Sequence, residues 1–249
     1  MNIAIIGAGA IGGAVAEGLL KSGYDHVILS NPTEAKLRRY MEMGASVTTD
    51  NQLAIEDADV VIVAVKPWLV EQVLTSLDTS GKTIVSLAAG VSSETLLQWI
   101  APDADLWLAI PNIAASQQLS MTFLVGIRNE YQTDVRALFD AVGLTIECKE
   151  EVLPAGTTLG SCGIAYIMRY VRAATEGGVE LGFRAPDAQR IIMQVMMGAV
   201  KLLETTGMHP EQFVDQVATP GGLSIKGLNE MEHAGFTSAV IRGLKAGMG

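Results

Sequence analysis

Apolar residues are distributed along this chain in two regimes. Up to about residue 150, short unbroken apolar runs alternate with stretches where apolar residues recur every three or four positions. The runs Ile3–Ile6, Val27–Leu29, Asp59–Val65, Lys82–Leu87 and Leu106–Ile110 read as strands, most of them buried on both faces. Helical spacing lies between them: Val15, Leu19 and Leu20; Leu37, Tyr40 and Met41; Val70, Val73, Leu74 and Leu77; then Leu96, Leu97 and Ile100 behind a capping Ser92 or Ser93. Ser46–Thr48 is a candidate short strand, and Phe123–Ile127, a helix over 134–142 and Thr145–Cys148 close this part. Strands alternating with helices of about ten residues imply right-handed βαβ units. The expected fold class is therefore α/β, a doubly wound and mainly parallel sheet.

The second regime begins near Val152 and contains no strand pattern. Helices are expected over 158–181, from Pro186 to Gly207, from Pro210, over 223–234 and over 237–246, with Pro186 in the favoured first turn. The first two are apolar nearly all round, and 98 residues offer too little interior to bury them. The reading is thus two parts, 1–151 with the sheet and an all-α part over 152–249 that serves as an interface between copies.

Charge sharpens the division. Of the net −10, residues 1–151 supply 9 Lys/Arg against 19 Asp/Glu, whereas 152–249 are balanced at 8 against 8 and hold seven of the eleven methionines. An acidic chain lacks the basic stripe that nucleic acid requires. No apolar run is long enough to span a membrane, and no secretory signal is evident. Cys148 and Cys162 stand in no metal-ligand spacing, so reduced thiols in a cytoplasmic protein are expected, with no metal.

The candidate chemistry starts at the first strand. Gly7-Ala8-Gly9-Ala10-Ile11-Gly12 follows it directly and opens a helix. In such a turn Gly7 allows the tight bend, Gly9 leaves room for a pyrophosphate, and Gly12 lets helix and strand approach. The helix amides and dipole then face an anion. The other strand ends, Ser30-Asn31, Val65-Lys66-Pro67, Ala88-Ala89-Gly90 and Ile110-Pro111-Asn112, are small, polar or proline-kinked, as a dinucleotide lying across the sheet edge requires. No carboxylate ends the second strand, and Lys36, Arg38 and Arg39 follow it, which favours NADP with NAD as the alternative. The aliphatic stem of Lys66 is expected to pack beside the cofactor. His26, His209 and His233 have no partner at triad-like spacing. Thr219-Pro220-Gly221-Gly222-Leu223-Ser224 is either an anion cradle or a plain loop between helices.

Taken together, Gly7–Gly12, Ala64-Val65-Lys66-Pro67, Ser86–Gly90, Pro111-Asn112, Leu159–Tyr166, Gly177–Gly182 and Pro220-Gly221-Gly222 give the chain a clear family likeness over nearly its whole length. It resembles the pyrroline-5-carboxylate reductases. The resemblance implies a Rossmann NAD(P)-binding domain, a helical domain forming a homodimer or higher oligomer, and hydride transfer to a small imine to give proline. It implies cofactor contacts at Ala8, Ala10, Ile11, Ser30, Asn51, Val65, Lys66 and Ala89. It also implies substrate contacts at Thr157, Thr219, Gly221, Gly222, Leu223 and Ser224, the last bearing the catalytic hydroxyl. If the imine arrives protonated, catalysis is mostly positioning, which explains the lack of acid–base side chains. Departures at Ile113-Ala114-Ala115, Cys162, Ile164 and Leu223 border the substrate. They leave open another small imine or carbonyl substrate, or a weakly active regulatory paralogue.

Overall fold

The structure, a computed structural model, describes residues 1–248 and contains two compact units, Met1–Cys162 with Met248, and Gly163–Gly247. The first unit holds an eight-stranded sheet: β1 Ile3–Ile6, β2 Val27–Ser30, β3 Ser46–Thr48, β4 Val60–Val63, β5 Thr83–Ser86, β6 Asp105–Ile110, β7 Ser120–Arg128 and β8 Gly143–Glu147. Their order is β3-β2-β1-β4-β5-β6-β7-β8. The first six are parallel, β7 runs antiparallel to β6, and β8 runs parallel to β7. Alternate residues of each buried strand feed opposite layers. Ile3, Ile5, Val60 and Ile62 pack with Val15 and Leu19 and with Phe139. Ala4, Ile6, Val61 and Val63 pack with Ile55, Val70, Leu74 and Leu96. Burial on both faces is why these strands are unbroken apolar runs.

The helices of this unit are α1 Ala10–Lys21, α2 Arg38–Glu42, α3 Asn51–Ile55, α4 Val70–Leu74, α5 Ser93–Leu97, α6 Val135–Asp140 and α7 Leu153–Gly156. Helices α2 to α5 have five residues each, half the length that the spacing predicts. For α2, α4 and α5 the structure shows a local reason. Past α2 the chain turns at Gly44, with φ +99°. After α4 the hydroxyls of Thr75 and Ser76 bond back to the carbonyls of Glu71 and Val73. Behind α5 the amides of Gln98 and Trp99 switch to three-residue bonding.

Residues 153–162, which the spacing assigns to the helical part, pack on the sheet. A π-helical turn, Thr157–Cys162, follows α7. The Phe123 ring of β7 lies so close to Gly156 and Gly160 that a Cβ on either would meet it at 2.7 and 2.8 Å. Asn112 Nδ2 also donates to the Gly160 carbonyl at 3.1 Å.

In the second unit lie α8 Gly163–Glu180, α9 Ala185–Thr206, α10 Pro210–Val217, α11 Leu223–His233 and α12 Phe236–Ala246. Gly207, at φ +63°, ends α9. His209 starts α10 through a capping box, accepting from the Glu211 amide while its own amide donates to Gln212 Oε1. Helices α8 and α9 touch at Gly178 and Ala188, where a Cβ on the glycine would lie 2.8 Å from the alanine methyl. Among the described residues of this unit only Thr175 and Ala188 are buried, and an apolar set including Ile167, Met168, Val195, Met197 and Val240 is exposed. Among the described residues no helix is long and apolar enough to cross a membrane.

Candidate functional site

The sheet reverses its winding between β1 and β4, the two neighbours of the first strand being β2 and β4. In an open parallel sheet the crevice at such a switch point receives ligands. A cavity of about 630 Å³ occupies it, lined from Gly7, Gly9, Ala10 and Ile11, from Ser30 to Thr33 with Lys36, from Asn51, from Val65-Lys66-Pro67 and from Leu87 to Ala89.

Each glycine of the opening turn has a distinct surrounding. Gly7 sits at φ +109°, and a Cβ there would lie 2.7 Å from the Ala64 carbonyl oxygen. At Gly12 a Cβ would be 2.1 Å from the Gly7 carbonyl oxygen and 2.7 Å from the Ala64 methyl, so this glycine serves the approach of α1 to the β1 turn and does not line the cavity. Nothing lies within 4 Å of a Cβ built on Gly9. That open space, and an α1 N-terminus with no side-chain cap, suit a dinucleotide pyrophosphate. The site thus fits the cofactor by its shape and its free amides.

The β2 end presents donors. Ser30 Oγ donates to Asn51 Oδ1 at 2.5 Å, and the Thr33 amide donates to Asn31 Oδ1 at 3.0 Å. Both residues line the cavity, and with their oxygens engaged each carboxamide keeps its Nδ2 group as a donor. Lys36 is exposed beside them and pairs with no carboxylate among the described residues. This rim suits a phosphate oxyanion. On the far side, the loop from Ala88 to Ser92 is fixed at its end by Glu150, whose carboxylate accepts from the Ser93 amide at 2.8 Å and the Ser93 hydroxyl at 2.5 Å.

Two expected cofactor residues take other places. Ala8 lines an adjoining cavity with Glu17, Arg39 and Tyr40. Asn112 is buried outside the crevice: its Oδ1 accepts from the Ala114 amide, and its Nδ2 donates to the Gly160 carbonyl. Gln72, Val73 and Ser76 of the α4 region line the crevice unforeseen. Their i, i+1, i+4 spacing after the β4 end was the available signal.

The expected substrate residues divide between the units. Thr157 is in the first, half-buried in the π-turn, its hydroxyl bonded back to the Leu153 carbonyl at 2.8 Å. Thr219 to Ser224 are in the second. There Gly221, at φ +70°, shapes a turn closed by the Gly222 amide on the Thr219 carbonyl at 2.9 Å. The Gly222 amide is therefore occupied. Helix α11 begins on Gly222 with no side-chain cap, so the amides available to an anion start at Leu223. Leu223 is 87% exposed. Among the described residues no three metal-ligating side chains gather.

Two family models match the chain. One, described as pyrroline-5-carboxylate reductase dimerisation, covers residues 150–248, and the other, NADP oxidoreductase coenzyme F420-dependent, covers residues 2–90. Pyrroline-5-carboxylate reductase 1 of Dictyostelium discoideum is 35% identical over 98% of this chain, which spans about half, 48%, of that relative's length. The Methanosarcina acetivorans pyrroline-5-carboxylate reductase is 33% identical, with 97% of this chain and 94% of that one covered. The chain belongs to the pyrroline-5-carboxylate reductase family. Among solved structures, the 1-pyrroline-5-carboxylate reductase of Streptococcus pyogenes superposes with a TM-score of 0.90 at 30% identity, over all of this chain and 96% of that one. The pyrroline-5-carboxylate reductase family thus carries both the sheet unit and the helical unit seen here.

Proposed function

We propose that this chain reduces 1-pyrroline-5-carboxylate to L-proline, with NADPH as the reductant. The supporting observation is chain-long membership of the family together with an uncapped, glycine-floored crevice at the switch point. When bound there, the dinucleotide supplies a hydride for the imine carbon. The chain's own part is to bind and align. Gly9 and the α1 amides receive the pyrophosphate, and Asn31, Asn51 and Lys36 receive a 2′-phosphate. The amides from Leu223 on, with the Ser224 hydroxyl, hold the substrate carboxylate and ring. A protonated imine needs no further acid, so orientation of two reactants provides the rate, a contribution on the order of 7–11 kcal/mol. NADPH oxidation measured with and without pyrroline-5-carboxylate tests the reading. Turnover supports it, and turnover only with other imines or ketones replaces the substrate.

Two substitutions separate the binding roles. Lys36→Ala is expected to raise the NADPH dissociation constant about tenfold and leave that of NADH within about twofold, because only the former carries the extra phosphate. Fluorescence titration of both nucleotides reads this directly. Ser224→Ala is expected to lower kcat/KM for pyrroline-5-carboxylate about tenfold with unchanged NADPH affinity. Wild-type kinetics would remove the hydroxyl from the mechanism.

We also assign residues 1–151 to cofactor binding and 152–249 to dimerisation and substrate, supported by the dimerisation match from residue 150, although residues up to Cys162 pack with the sheet unit. The assembly is a homodimer through the C-terminal helices, a reading supported by their exposed apolar side chains. Free Cys148 and Cys162 suit a reducing compartment, which favours the cytoplasm.

A further inference from the structure

Beside the cofactor crevice lies a second cavity of about 630 Å³, whose wall includes Glu17, Lys36, Arg39 and Tyr40. The two cavities share Gly9, Ala10 and Lys36. Glu17, on the second turn of α1, therefore stands close to the place where the extra phosphate of NADPH is assigned. A bare carboxylate there would repel a phosphate dianion.

It is not bare. One Glu17 oxygen accepts from Lys21 Nζ at 2.9 Å, and the other accepts from the Arg39 guanidinium. Lys21 is held in turn by the Ser116 carbonyl at 2.6 Å. Arg39 is further fixed over the Tyr40 ring, 4.8 Å from its centroid. Tyr40 is itself wedged against α1: a Cβ on Gly13 would fall 1.9 Å from its hydroxyl. The carboxylate is only 15% exposed. Its pKa lies below the ordinary value, chiefly through the hydrogen bond from Lys21, so the pairing persists through the neutral range.

We propose that Glu17 is a specificity-determining residue of the cofactor site, which holds Arg39 as its own counterion and so moderates the preference for NADPH over NADH. Lys36 is left as the cation that meets the phosphate, with Arg39 cancelled beside it. Releasing Arg39 adds a second cation in the adjoining cavity, which shares Lys36 with the crevice. The inference rests on the NADPH reading above and adds to it a residue that touches neither substrate nor cofactor.

Fluorescence titration of NADPH and NADH against the full chain tests it, using wild type, Glu17→Gln, Arg39→Ala and the double variant. Glu17→Gln is expected to tighten NADPH about threefold to fivefold and leave NADH within about twofold. The gain should shrink at high salt, as a screened charge effect does. Arg39→Ala alone should change NADPH affinity by less than about twofold, and in the double variant the gain from Glu17→Gln should fall to less than half, Lys21 alone, tied to the Ser116 carbonyl, being released. An unchanged or lower NADPH to NADH preference in Glu17→Gln overturns the inference. So does a loss above about fivefold in Arg39→Ala, which would mean that Arg39 already engages the phosphate. A wild-type chain that binds neither nucleotide overturns the cofactor reading and this inference with it.

Discussion

Alanine at Gly9 is expected to leave the melting temperature within about 2 °C and to weaken NADPH binding at least about tenfold. Alanine at Gly12 is expected to do the reverse first: to lower the melting temperature by roughly 6–12 °C, with loss of binding as a consequence. The two positions are three residues apart, and their surroundings explain the contrast. Gly9 has a φ of −81°, which alanine adopts without strain, and nothing lies within 4 Å of the added methyl. The methyl enters only the space reserved for a pyrophosphate. At Gly12 the same methyl meets the Gly7 carbonyl oxygen at 2.1 Å and the Ala64 methyl at 2.7 Å, both in rigid backbone or core. Helix α1 must then lift from the sheet, an overpacking penalty of about 3 kcal/mol. Thermal unfolding and nucleotide titration on the two variants check this. Equal melting temperatures would show that α1 yields without cost.

Val195→Glu is expected to convert the assembly to single chains or to make it aggregate, and to abolish turnover while NADPH binding persists. Val195 is 62% exposed on α9, with Ile191, Met193, Met197 and Val200 also exposed along that helix. Ile191 and Val195, four residues apart, share one side of α9, and Met193, Met197 and Val200 share another. Each such side chain gains about 1.5–3 kcal/mol on full burial, so the helix is strongly driven to associate. A glutamate in its middle would bury an unpaired charge, costing several kcal/mol. Analytical ultracentrifugation with a parallel nucleotide titration gives the two readouts. A variant that keeps its assembly and activity would show that α9 faces solvent in the working enzyme.

How much of this was legible beforehand depended on the range of the interactions involved. The strands β1, β4, β5 and β6 were visible because burial on both faces requires unbroken apolar runs. The bounds of α9 and the start of α10 were visible because Pro186, Gly207 and Pro210 act locally. The lengths of α2 to α5 were not, since the apolar spacing continues past the points where hydroxyls and turn bonds end the helix. The packing of 153–162 on the sheet was not legible either: it depends on Phe123, more than thirty residues upstream, finding two bare glycines. At the site, the crevice residues from β1, β2, β4 and β5 followed from strand ends, Asn51 followed from the family likeness, and Gln72, Val73 and Ser76 followed from neither. Asn112 looked the same in sequence, but it is buried away from the crevice, bonded to the Ala114 amide and the Gly160 carbonyl.

The bond between Ser30 and Asn51 has an outcome for recognition that reaches beyond those two residues. A carboxamide turned over offers oxygen where it had offered nitrogen, and nothing in its own shape decides which. Here the oxygen is engaged from behind, by a hydroxyl with no solvent exposure at the close of β2. An anion arriving at Asn51 thus meets a group whose other contact is made inside the sheet unit.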